Sequence, residues 1–203
     1  MFARYTHVRG DPSRIDAALD YADGPARTAV ESTEGNRGFA VIVDTERGRL
    51  VGASYWDSAE ALRASEAALA DTRAGAAAAL AGEVTLERFE VVVGFRHSLP
   101  ARGALVRLAP LTVPPARVEE AISLMNEETV PRVKGAAGLC SFQLVLDRGS
   151  GAGMVVTAWE SRDAATAFWP VAEQLRARAS DRVDVRFAQP DDYAMVRSTV
   201  RLD

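Results

Sequence analysis

In the stretch FARYTHV, residues 2–8, strand alternation puts the Tyr5 phenol and the His7 imidazole on one face. An imidazole changes charge near neutral pH, so beside a phenol in a pocket it can act as a general acid or base. His7 and Tyr5 are therefore the candidate catalytic pair. The neighbouring Arg4, and Arg107 in ALVRLAPL (104–111), are single cations in otherwise apolar segments. Each closes a salt bridge with a helix carboxylate, sits at the sheet edge, or makes a cationic wall for an anionic or phenolate ligand. Trp169 is the third tryptophan, the one without a counterpart in the first half of the chain. A pocket wall is the role its size suits. Arg4, Trp169 and Arg107 are thus the candidate ligand-pocket residues.

Little else in the chain points to chemistry. His7 and His97 are the two histidines and Cys140 is the one cysteine. Scattered in this way they make no metal site, and Cys140, between Leu139 and Phe142, reads as a small buried hydrophobe. RGSGAG (148–153) follows a strand and opens no helix, so it is a turn rather than a phosphate loop. No metal and no cofactor is expected. The net charge of −4 gives no basic footprint for nucleic acid. No apolar run approaches the roughly 18 residues of a membrane span, and MFARYTHVRGDPSR lacks the apolar core of a secretory signal. With one cysteine, no intrachain disulfide forms and a cytoplasmic location is expected.

The elements that hold these residues follow from an internal repeat. At an offset of 103 positions, residues 38–61 align without a gap on residues 141–164, with six of 24 positions identical. The identities are Phe39/Phe142, Asp44/Asp147, Gly48/Gly151, Trp56/Trp159, Ser58/Ser161 and Ala61/Ala164. Upstream, Arg4 meets Arg107, Pro12 meets Pro115 and Gly35 meets Gly138. Each half reads alike. An opening strand leads to a helix with apolar residues at i, i+3, i+4 and i+7: Ile15, Ala18, Leu19, Ala22, and Val118, Ala121, Ile122, Met125. Gly24-Pro25 and Pro131 should interrupt these helices. A hairpin follows, 38–44 with 49–56 and 141–147 with 153–159. Ser58 and Ser161 cap a second helix, and a closing strand ends the half at 86–93 and 191–198.

The order β-α-β-β-α-β, twice, is the ferredoxin-like split βαβ unit. The expected repeats are residues 1–93 and 104–203, joined by a linker at 94–103. Both faces of the hairpin strands are apolar: Phe39, Val41 and Val43 on one, Ala40 and Ile42 on the other. Helices cover one face, so the second requires another sheet. The expected fold is α+β, with two antiparallel sheets packed face to face in a single-chain, pseudo-dimeric α/β barrel.

The stretches TVPRVKGAAGLCSFQLVLDRG (129–149) with GMVVTAWESRDAATAFW (153–169), and EGNRGFAVIVD (34–44) with SYWDSAEAL (54–62), resemble the antibiotic biosynthesis monooxygenase-like family of the dimeric α/β-barrel superfamily. In that family two chains usually pair to make one barrel; the resemblance implies that here two halves of one chain do so. It further implies a small-molecule-binding protein, a cofactor-independent monooxygenase or isomerase of an aromatic or polyketide-like substrate. The alternative is a catalytically silent barrel that serves as a binding or interaction module. Haem-degrading relatives use an Asn on the first strand, where this chain has Thr6 and Ala109, and a His ligand after a Trp on the second helix. No His stands in the second half. The expected partners are a small apolar or aromatic ligand, not nucleic acid or membrane, with the chain a pseudo-twofold monomer or a homodimer. The better endowed site is expected in the first half, where Tyr5 and His7 stand opposite Leu108 and Pro110 in register.

Overall fold

The computed structural model describes residues 1–202. The first half of the chain gives β1 (Phe2–Arg9), α1 (Ile15–Tyr21), α2 (Arg27–Glu31), β2 (Asn36–Asp44), β3 (Arg49–Trp56), α3 (Ala59–Ala68), α4 (Ala70–Leu80) and β4 (Glu83–Arg96). The second gives β5 (Leu105–Thr112), α5 (Val118–Leu124), α6 (Val130–Lys134), β6 (Leu139–Leu146), β7 (Ala152–Trp159), α7 (Arg162–Val183), β8 (Arg186–Phe187) and β9 (Asp191–Ser198). The chain is α+β, and the β-α-β-β-α-β order occurs twice, as expected. The interruptions predicted at the prolines are π-helical turns, Ala22–Ala26 and Met125–Thr129, between α1 and α2 and between α5 and α6. Pro25 brings no N–H to the ladder, and the wider π turn absorbs the missing bond.

Residues fixed in both halves perform the same local tasks. Ser58 and Ser161 cap α3 and α7, each hydroxyl accepting from the backbone N–H three residues on, at 3.0 and 3.1 Å. Gly35 and Gly138 adopt φ of +77° and +74°, and a Cβ there would lie 2.6 and 2.7 Å from the Cβ of Ala61 and Ala164. The glycine is needed on both counts: the left-handed backbone, and a helix that approaches too closely for a side chain. Trp56 and Trp159 give their indole N–H to Ser54 and Thr157, two residues back, at 3.1 and 2.9 Å.

The chain forms two compact units. In the first, β1 and β2 flank β3 antiparallel, with Tyr5 opposite Ala53 and Val41 opposite Gly52. The start of β4 lies beside β1, and β9 extends the sheet beyond β2, from Ala40↔Ser198 to Val43↔Ala194. The helices pack on the face carrying Val8, Phe39, Val41, Val43 and Trp56. In the second unit β5 and β6 flank β7 antiparallel. The later part of β4 pairs with β6, from Glu90↔Leu146 to Arg96↔Ser141, and the start of β9 lies beside β5. Helix-facing residues include Leu144, Leu146, Leu105, Phe142 and Trp159. In both units the other sheet face is buried as well, at Ala3, Tyr5, Ile42 and Tyr55, and at Val106, Leu108, Val145 and Met154. The two-sided apolar pattern of the strands is thus matched by two-sided burial, and each buried Val, Leu, Ile or Met among them contributes about 1.5–3 kcal/mol.

The fourteen-residue β4 runs to Arg96, past the start of the expected linker at residue 94. It gives Glu83–Arg88 to the first unit and Phe89–Arg96 to the second, while β9 gives its first two residues to the second unit and Tyr193–Ser198 to the first. Residues 1–97 alone would therefore leave β2 without β9, and Phe89–Arg96 without β6. Bare edges of this kind associate. Sedimentation velocity on that fragment is expected to show dimers or aggregates. A monomeric fragment that unfolds cooperatively would refute the exchange of closing strands.

Candidate functional site

In the second unit, α5, α6 and α7 cover one face of the β5-β7-β6 sheet and leave a pocket of about 100 Å3 against it. Its floor is Ala109 on β5, Phe142 on β6, and Val155 and Trp159 on β7. One wall carries Met125, Thr129 and Val133. The opposite wall is α7, where Ala165, Phe168, Trp169, Ala172 and Arg176 recur at the three- and four-residue spacing of one helical face. The alanines in that stripe leave the space and the aromatic rings border it. The volume is somewhat below the ~150 Å3 apolar cavity that takes up benzene, so a single ring or short chain could enter.

Two guanidiniums stand at this pocket. Arg107 grips Asp192 on β9 with Nε at 2.7 Å from Oδ1 and Nη2 at 3.0 Å from Oδ2, and lies over the Trp169 ring at 5.0 Å. Arg162 adds a second cation to Asp192 at 2.9 Å. Arg176 lies over the rings of both Trp169, at 5.5 Å, and Phe187, at 4.6 Å, and donates to the Ala188 carbonyl at 3.0 Å. Burial raises the Asp192 carboxyl, but the hydrogen bond and charge of Arg107, helped by Arg162, outweigh it and hold Asp192 below the usual carboxylate range. Burial, and then the like charge of Arg107, lower the Arg176 guanidinium against the opposing pull of Glu173.

Sequence reasoning had singled out Trp169 and Arg107, and the structure brings them into contact. It had missed Arg176 and Phe168. Their signal was the apolar stripe of α7, and for Arg176 also an arginine, Arg73, 103 residues earlier. Tyr5 and His7 share a strand face as expected, with ring centroids 6.5 Å apart. The Tyr5 hydroxyl lies 3.1 Å from that of Tyr55, and His7 Nε2 lies 2.8 Å from Glu87 Oε2. Burial first, then Tyr55, raises Tyr5 well above the ordinary phenol range, so it is a neutral phenol at neutral pH. Arg4 does not join them, because strand pleating turns it to the helix side, where it borders a separate cavity.

The pocket walls carry no histidine, cysteine or tyrosine to hold a haem iron. Among the described residues, no group of three or more His, Cys, Asp or Glu could hold a metal ion, and no helix is long and apolar enough to cross a membrane.

Asp192 supplies the test of this arrangement. A carboxyl held low in the folded state stabilises it above the ordinary carboxylate range, and that stability is lost as pH falls through its lowered value. Asp192→Asn is expected to cost about 1–3 kcal/mol at pH 7, since it leaves Arg107 without its counter-charge. Denaturant unfolding should show the gap between wild type and variant closing as pH drops below about 4. A gap that stays constant with pH would remove the ion pair from the stability of this unit.

No protein-family profile matches the chain. The uncharacterized protein Rv2557 of Mycobacterium tuberculosis is 29% identical over 164 residues, 81% of this chain and 73% of the relative. Among solved structures, an anthrone oxidase-like protein superposes with a TM-score of 0.69 at 17% identity, covering 97% of this chain and 92% of the other. A Listeria monocytogenes ferredoxin-fold protein related to antibiotic biosynthesis monooxygenases gives 0.56 at 11% identity, covering 97% and 95%. With its doubled strand order, the chain has the ferredoxin-like fold of the antibiotic biosynthesis monooxygenase-type proteins.

Proposed function

We propose that this protein binds a small, largely apolar ring compound in the second-unit pocket, with an anionic or phenolic group of the ligand facing Arg176. The observation that carries this reading is the pairing of an apolar cavity with two guanidiniums over one tryptophan ring, Trp169. Apolar walls with a few convergent polar groups are the common make-up of a small-molecule site. Asp192 already balances Arg107, so Arg176 is the cation left to meet a ligand. Binding without chemistry leads, because the carboxylate nearest the pocket is committed to two arginines and no other acid or base lines it. We further read the two repeats, 1–93 and 104–203 joined by 94–103, as a duplication in a cytoplasmic protein whose two halves together take the place of a dimer.

One observation favours a second reading, cofactor-independent oxygenation. Guanidiniums beside the ring stabilise a phenolate or enolate, the electron-rich form that can react with O2. An anthrone oxidase-like protein among the structural neighbours agrees with this chemistry.

A single-ring anion, sodium benzoate, tests the binding reading by calorimetric titration. Wild type is expected to saturate at one site. Ala172→Trp should abolish binding by filling the pocket, and Arg176→Gln should weaken it about tenfold, near 1.4 kcal/mol. Binding that both variants leave unchanged would place the ligand elsewhere. An oxygen electrode with a single-ring substrate, catechol, separates the readings: uptake that Arg176→Gln suppresses supports the oxygenase, and none supports the binding protein.

A further inference from the structure

The first unit holds a second pair of guanidiniums, and their charges are not balanced. Arg4 on β1 and Arg73 on α4 precede Arg107 and Arg176 by 103 positions, and both border a cavity of about 40 Å3 between the sheet and α4. Arg4 is only 2% exposed. Its Nη1 donates to Ser65 Oγ at 3.0 Å and its guanidinium lies over the Trp56 ring at 5.5 Å, but its Nε is buried with no hydrogen-bond partner. Arg73 gives Nη2 to the Glu66 carbonyl at 2.6 Å, and its Nη1 is also buried without a partner.

The one carboxylate in this cluster is Glu66, and its side chain is held by Arg88. Three cations, Arg4, Arg73 and Arg88, thus share one anion, whereas Arg107 in the second unit has Asp192 to itself and Arg162. Buried donors without partners are rare, and a buried charge without a counter-charge is rarer still. Burial, then the like charge of Arg73, pushes the Arg4 guanidinium down to about 10, in keeping with a missing anion.

We propose that the first-unit cavity binds a small planar oxyanion, whose oxygens accept from Nε of Arg4 and Nη1 of Arg73. Guanidinium N–H groups match such oxygens in geometry as well as charge. The volume corresponds to about three of the ~10–15 Å3 probe spheres that each mark room for one water, which limits the occupant to the head group and one or two further atoms. The rest of the lining is mostly apolar, with Val30, Phe39, Leu69 and Ala76, and favours the carboxylate of a short organic acid over bicarbonate. This site is separate from the Trp169 pocket and holds a different class of ligand.

The test is a titration of the full chain followed by the 1H–15N signals of arginine Nε groups. Sodium propionate, acetate and bicarbonate are compared with sodium chloride at equal ionic strength. The Arg4 Nε signal is expected to shift saturably, with a Kd of the order of 1 mM, and chloride should not reproduce it. Tighter binding of propionate identifies an organic acid as the occupant, and saturation by bicarbonate alone identifies the inorganic ion. Arg4→Gln could fail to fold, so the variants are Arg73→Gln, on a half-buried helix position, and Ala76→Leu, which fills the cavity. Each is expected to weaken binding at least tenfold, while Arg63→Gln, an exposed arginine, leaves it unchanged. No saturable shift with any of the three anions, or a shift that survives both Arg73→Gln and Ala76→Leu, overturns the proposal.

Discussion

A guanidinium set into an apolar layer has to be met by something: a carboxylate, an aromatic face, a backbone carbonyl or a ligand. Arg4 and Arg107 occupy equivalent strand positions and impose this requirement on both units. In the second unit it is met inside the protein. Asp192 reaches Arg107 from the first residues of β9, and the Trp169 ring lies under the same guanidinium. That ion pair fixes Arg107, which helps to fix Trp169, and Trp169 with Arg176 makes one end of the pocket. In the first unit the same position finds a hydroxyl and a ring but no carboxylate.

The cavities exist because the helix face above each sheet is rich in small residues. Ala172 and Ala165 on α7, and Ala76 on α4, are too short to fill the gap to the strands. The gap is held open by the rigid frame around it. Serine caps fix where each second helix begins, and the close approach of Gly35 to Ala61, and of Gly138 to Ala164, fixes its height over the sheet. The indole N–H bonds of Trp56 and Trp159 lock the ends of β3 and β7 beneath the same helix starts. These contacts involve residue pairs found in both halves of the chain, so the frame is common and only the lining differs.

The frame was legible in the sequence because it rests on local signals. An offset of 103, a serine before each helix and a glycine before each hairpin strand can be read without any tertiary information. The site was legible in part. Arg107 and Trp169 stood out as a cation in an apolar strand and an unmatched tryptophan, and they meet in space. Arg4 lies apart from Tyr5 and His7, since adjacent strand residues face opposite sides. Arg176 and Arg73 escaped notice because a helix arginine is ordinary on a solvent face. What makes these two unusual is the strand arginine across the layer, and no one-dimensional pattern records that pairing.

The partners of His7 and Arg107 show how closing strands differentiate the two halves of the chain. β4 and β9 each run beside the first strand of their own half of the chain, and each carries there an acid that pairs with a basic side chain. On β9 the acid is Asp192, and it meets the strand arginine, Arg107. On β4 the acid is Glu87, and it meets His7 on the other face of β1, while Arg88 turns to Glu66 beside Arg4 and adds a cation where the second unit has an anion. A carboxylate on one face rather than the other of a closing strand therefore decides whether a buried guanidinium is satisfied within the fold or left to bind something else. The same architecture then yields an apolar pocket flanked by a neutralised arginine in one unit, and a small cavity with surplus positive charge in the other.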